Sequence, residues 1–301
     1  MGLLDKNVSI EASKDRNAAV VENMESGTQS PPIGKHYEGG RWLVERAEYL
    51  AYAAATDDSN VAYTGKDAVA PPMYHVRPFI HVLSMMASDP ELALDMLRLV
   101  HAEHDMTFHR VLKDGDVIRL SGTLEAVHEK SSGKLVKYRL AGVVDGETAL
   151  EGRTSYFIRA KQPAARKKKS AKGEVSTPPE PHWTTSQCVH DDQALRYAEA
   201  SGDRNPIHID EETAKSAGLP GCILHGLCTM AFAQRDLIRA YCADDPARLQ
   251  RISVRWAKPV FPGERLTLKV WEQEEGRVSF VTENEAGQVV MSNGLAEIRS
   301  A

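Results

Sequence analysis

The residues best suited to chemistry lie in one stretch, Tyr197–Gly226, which reads YAEASGDRNPIHIDEETAKSAGLPGCILHG. Asp203 and His208 flank a turn in which Asn205-Pro206 stops whatever helix comes before it. An aspartate is a short acidic group and a histidine titrates near neutrality, so a pair at this spacing can share proton transfer. Gly226 stands at the head of a long apolar run, Leu227–Tyr241. If that run is a helix, its first backbone N–H groups have no intrahelical acceptor and carry the positive end of the helix dipole. Such an N–H can hold the negative charge that develops on a reacting oxygen.

The elements that must position these groups occur twice. Tyr52–Tyr63 reads YAAATDDSNVAY and Tyr197–His208 reads YAEASGDRNPIH. At an offset of 145, five of the twelve positions are identical, Asp58/Asp203 and Asn60/Asn205 among them. Farther on, Val111–Asp116 matches Pro259–Glu264 at an offset of 148. Two anchors in the same order point to two copies of one unit of about 120 residues. Each copy reads as a short strand (Trp42–Glu45; Thr184–Val189), an Ala-rich helix (Arg46–Ala55; Asp191–Ala200), the Asp/Asn turn, an apolar helix, and four strand-like runs. In the second copy the runs are Ile252–Lys258, Arg265–Glu272, Val278–Glu283 and Val289–Arg299. In the first they are Asp105–Val111, Val117–His128, Lys137–Val144 and Thr148–Arg159. The pattern predicts an α+β fold in which each antiparallel sheet wraps one buried helix. Residues 1–34 read as a flexible arm, 35–160 as the first repeat, 161–181 as a basic, proline-containing linker and 182–301 as the second repeat.

Tyr197, Ser201-Gly202-Asp203, Asn205-Pro206-Ile207-His208, Asp210, Ala214 and His225-Gly226 together resemble the MaoC-like family of (R)-specific enoyl-CoA hydratases and 3-hydroxyacyl-thioester dehydratases. The resemblance is strong over 182–301 and weak over 35–160, and the duplication resembles the family's double-hotdog members. It implies reversible syn addition of water to a trans-2-enoyl thioester. By resemblance, Asp203 and His208 activate the water and move its proton, the Gly226 N–H polarises the thioester carbonyl, and Asn205 supports the turn. It implies no metal or other cofactor, with coenzyme A or acyl carrier protein entering as part of the substrate. The first repeat has Tyr63 where the second has His208, and the downstream offset sets Arg77-Pro78 against His225-Gly226. Proline has no amide hydrogen. The first repeat is therefore expected to be catalytically degenerate and to bind the acyl tail, through loss of its central helix packing.

Other groups have plainer readings. Asp210 is expected to cap a short helix at Glu211–Ala217. His225 is expected to position the Gly226 loop rather than react. A metal site on His208, Asp210 and His225 lacks any recognised ligand spacing. His101 and His104 read as loop residues before a strand, and the cluster His101, His104, Asp105 and His109 as structural. Cys188, Cys222, Cys228 and Cys242 show no disulfide or CxxC pattern and read as reduced thiols of a cytoplasmic protein. A net charge of −5 disfavours nucleic acid as a partner, and no apolar run is long enough for a membrane span. The run Arg166–Lys169 reads as a solvated strap, with contact to coenzyme A phosphates as the alternative. A homodimer of two-repeat chains is the expected assembly. Two other activities fit a hotdog fold: an acyl-thioesterase, and a non-catalytic acyl-thioester-binding subunit.

Overall fold

A computed structural model describes residues 31–160, 179–274 and 276–300. The arm up to residue 30 and the basic run Arg166–Lys169 lie outside the described residues. In the first repeat, β1 (His36–Leu43) leads into α1 (Arg46–Ala55), two single 3-10 turns (Val61–Tyr63 and Pro72–His75) and α2 (Val76–Ala87). Four strands follow: β2 (Leu99–Phe108), β3 (Val117–Lys130), β4 (Gly133–Val144) and β5 (Glu147–Arg159). The second repeat has β6 (Trp183–Cys188), α3 (Gln193–Ser201), a 3-10 turn at Pro206–His208, α4 (Glu211–Ser216) and α5 (Gly226–Tyr241). It closes with β7 (Leu249–Trp256), β8 (Arg265–Glu272), β9 (Arg277–Asn284) and β10 (Val289–Ile298).

All ten strands form one antiparallel sheet in the order β1-β3-β4-β5-β2-β7-β10-β9-β8-β6. Read from its two ends toward its middle, the sheet presents the same sequence of elements twice, so the fold is a double hotdog. The repeats meet edge to edge where β2 pairs with β7, with Asp105 opposite Ser253. Arg251 clamps Asp105 across this seam through two hydrogen bonds of 2.8 Å. Such a bidentate pair fixes geometry as well as adding energy. Helix α1 packs on α3, with the Tyr52 and Tyr197 rings in edge contact at 5.7 Å. One hydrophobic cluster runs through both repeats.

The two central helices differ in how far they are buried. Helix α5 buries every residue from Leu227 to Ile238 except Arg235, as a helix enclosed by a sheet must. Helix α2 is present and packed, with Phe79, Val82 and Met86 fully buried. The expectation of lost helix packing is therefore not met. Pro78 is the third residue of α2, where a missing N–H costs nothing because first-turn amides have no intrahelical acceptor. The expected match of Arg77-Pro78 to His225-Gly226 is also displaced. His75 caps α2 and Val76 opens it, as His225 and Gly226 do for α5. The offset is 150 at the helix starts and at the strand starts (Val76/Gly226, Leu99/Leu249) and 148 only beyond them (Val111/Pro259), so carrying 148 back to the helix shifts the match by two residues. His101 and His104 are on β2 rather than in a loop, and His109 lies just past its end.

Candidate active site

Helix α3 ends at Gly202, which adopts φ +78° and so releases the chain from the helix. The following turn is held by its own side chains. The Asp203 carboxylate accepts from the Asn205 N–H at 3.2 Å, and the Asn205 amide oxygen accepts from the Ile207 N–H at 3.4 Å. Pro206 then opens the 3-10 turn that carries His208. Asp210 caps α4 by accepting from the Thr213 N–H at 2.7 Å, as expected.

His208 Nδ1 lies 2.8 Å from the Ile223 carbonyl. A carbonyl can only accept, so Nδ1 carries the hydrogen and the neutral ring keeps a bare Nε2. Burial holds the His208 pKa below the ordinary histidine value, against the opposing pull of the Asp203 charge. His225 donates from Nε2 to the Asp203 carbonyl at 2.9 Å, and its ring stacks on His208 at 3.7 Å. Its pKa is depressed by burial first and by the neighbouring His208 second. Sequence reasoning assigned His225 to the Gly226 loop; its contacts reach Asp203 and His208 as well.

Gly226 opens α5, and among the described residues no acceptor takes up its N–H. Trp256 lies across it, donating from Nε1 to the Gly226 carbonyl at 2.9 Å. A Cβ at position 226 would come within 2.8 Å of the Trp256 ring. The glycine is thus required by the indole packed against it.

Asp203, Asn205, His208 and Gly226 all line one cavity of about 840 Å³. The first repeat supplies the opposite wall, with Ile80, Leu83 and Ser84 from α2, His101 from β2 and Tyr156 from β5. His101 packs on Trp256 with ring centres 4.6 Å apart. Burial pushes its pKa down to about 4, so it is neutral at ordinary pH. The local motif gives no hint of His101, Trp256 or Ser84. Trp256 lies seven residues past the start of β7, and the other two belong to the other repeat.

Asp203, His208 and His225 each offer a ligand atom within 4.8 Å of the others. Asp210, the carboxylate considered from sequence, is not in this group. The two imidazole planes are only 27° apart.

The MaoC like domain model matches residues 167–293, and the FAS1-like, dehydratase domain region matches 32–150. A probable enoyl-CoA hydratase 2 of Dictyostelium discoideum is 29% identical over 69% of this chain and 72% of its own length. The peroxisomal enoyl-CoA hydratase 2 of Arabidopsis thaliana is 31% identical, over 70% of this chain and 71% of its own. Other curated relatives are longer, and the chain spans 29% of one and 55% of another. The crystal structure of a MaoC-like dehydratase from Phytophthora capsici superposes with a TM-score of 0.77 at 25% identity, covering 89% of this chain and 96% of that one. The two domain matches fall one on each repeat, and the identity to the plant hydratase extends over most of both proteins. The chain belongs to the MaoC-like dehydratase family.

Proposed function

We propose that the chain catalyses reversible syn hydration of trans-2-enoyl thioesters to (R)-3-hydroxyacyl thioesters, as a hydro-lyase. One observation carries this reading: the Asp203 carboxylate, the His208 ring and the free Gly226 N–H face one cavity. In the hydration direction a water molecule sits between Asp203 and His208 Nε2. Its oxygen forms the bond to C3 as the pair removes one of its protons. The electrons of the C2–C3 double bond move toward the carbonyl, where the Gly226 N–H stabilises the enolate-like oxygen. The pair then returns a proton to C2 on the same face, and the carbonyl re-forms. One such donor lowers a barrier by about 3–4 kcal/mol. The low pKa of His208 keeps the ring in its base form at neutral pH.

These groups supply each proton and charge movement of the reaction, so the proposal includes no cofactor beyond the coenzyme A or acyl-carrier-protein part of the substrate. It assigns the acyl tail to the wall built by α2, β2 and β5. Among the described residues no helix is long and apolar enough to cross a membrane. The four cysteines are unpaired, which supports the cytoplasmic, reducing location the proposal adopts, with a homodimer as its assembly. The test is Asp203→Asn and His208→Gln, assayed by loss of enoyl-thioester absorbance. Each should abolish turnover while the melting temperature holds; substantial activity in both sinks the proposal. Release of free thiol without loss of the enoyl signal would instead indicate a thioesterase, and tight binding without turnover a binding subunit.

A further inference from the structure

One buried hydroxyl, on a residue that lines the cavity, has nothing to bond to. Thr229 is the fourth residue of α5, three after Gly226, and residues three apart share a helix face. Side chains on a helix lean toward its N-terminus, which carries the Thr229 hydroxyl back over the turn that starts at Gly226. Thr229 is 2% exposed and lines the same cavity as Asp203, His208 and Gly226. Its Oγ1 nevertheless has no hydrogen-bond partner among the described residues. A helical threonine usually relieves itself by bonding to the carbonyl four residues back. Here the His225 carbonyl takes the N–H groups of Cys228 and Thr229 instead.

An unpaired buried hydroxyl destabilises a fold, so each one in a native core calls for an explanation. The first repeat shows the apolar solution: the fourth residue of α2 is Phe79, fully buried. The hydroxyl is kept only in the repeat that also keeps Asp203, His208 and Gly226. A second cavity behind α5, of about 10 Å³, is also lined by Thr229 and has room for one water. That water is the competing partner.

We propose that the Thr229 hydroxyl is a second hydrogen-bond donor to the substrate's thioester carbonyl, acting beside the Gly226 N–H. The proposal rests on the hydratase reading above. The Thr229 O–H is not broken; it turns toward the oxygen as charge gathers there. It is satisfied when substrate is bound and unsatisfied when the site is empty. The free enzyme therefore carries a cost that an isosteric apolar residue would remove.

This gives activity and stability opposite signs. Thr229→Val keeps the shape and removes the hydroxyl. It should lower kcat for a medium-chain trans-2-enoyl-CoA by about tenfold or more, with KM nearly unchanged. Its melting temperature should equal or exceed that of the parent. Thr229→Ser should recover most of the lost rate. A Thr229→Val enzyme with kcat within about twofold of the parent overturns the proposal. So does a lowered melting temperature, which would mark the hydroxyl as structural. So does a high-resolution structure with a water on Thr229 Oγ1 in both the free and the substrate-analogue-bound states. Asp203→Asn, assayed beside these, separates the two levels. If it is inactive while Thr229→Val is not impaired, only this proposal fails. If it remains active, the hydratase reading fails first.

Discussion

The turn at Asp58 and the turn at Asp203 are built alike and finished differently. In the first, the Asn60 N–H donates to Asp58 at 3.3 Å and the Ala62 N–H to Asn60 at 2.9 Å. These are the same two bonds that shape the Asp203 turn. What surrounds each carboxylate decides its use. Tyr63, in the place of His208, donates its hydroxyl to Asp58 at 2.9 Å, and Gln234 of α5 donates a second bond at 3.3 Å. Burial raises the Asp58 pKa, and the residue is only 7% exposed. At the other turn, Ser84 of α2 occupies the position that Gln234 holds in α5, the ninth residue of its helix. Ser84 is small and lines the cavity. The two turns thus share their backbone bonds, and the surroundings of the carboxylates differ through Tyr63 of the same repeat and Gln234 or Ser84 of the opposite one.

The largest test of that contrast rewrites one residue. His208→Tyr gives the second turn the first turn's residue and should cut hydration by about 10³-fold or more. Tyr63→His in an Asp203→Asn background should restore nothing, because Gln234 still covers Asp58. Recovery of turnover there would show that one side chain alone separates the repeats.

Acid should strike the first repeat through a buried histidine pair. Burial pushes the His75 pKa from 6.5 to about 4, and His104, bonded to it at 3.0 Å, is pushed well below 6.5. Between these values the unfolded chain binds protons that the folded chain refuses, so stability falls as pH drops from about 6.5 toward 4. His75 alone accounts for up to about 3 kcal/mol of that loss. Thermal unfolding of the parent and of His75→Gln across this range should show the parent falling more steeply. Equal slopes would remove His75 from the account.

Asp58→Asn should leave kcat intact and lower stability by about 1–3 kcal/mol, since the Tyr63 and Gln234 bonds are buried. Denaturant unfolding measures the second effect and the hydration assay the first. The smallest change is steric. Ser84→Gln should reduce kcat/KM for a long-chain enoyl-CoA by about tenfold while sparing a four-carbon substrate. An equal loss for both would place Ser84 away from the acyl path.

Much of the architecture was legible from local pattern. The bounds of α1 and β8 match their expected residues, because apolar periodicity and clear turn signals bracket them. Strand β2 was read six residues short at its start. Its buried positions include His104, and a buried histidine looks polar in sequence. The site's own turn was legible because Asp203, Asn205 and His208 sit within six residues of one another. The far wall was not. Ile80, Ser84 and His101 reach the cavity only through the β2–β7 seam and the packing of two helices, and no spacing rule spans 100 residues. The register of α2 slipped because the offset of 148, read beyond β2, does not hold at the helix, where it is 150.

The β2–β7 seam has a consequence for how such a protein can change. In a symmetric pair of identical subunits, every substitution appears at both copies of the interface at once. A glutamine that plugs one pocket would plug both, and a serine that opens one would open both. Joining the halves into one polypeptide breaks that constraint. Gln234 can fill one side while Ser84 clears the other, and Phe79 can pack where Thr229 stays polar. On the proposed hydratase reading, the fused chain keeps one reaction centre, and the other half is free to be shaped as a wall for it.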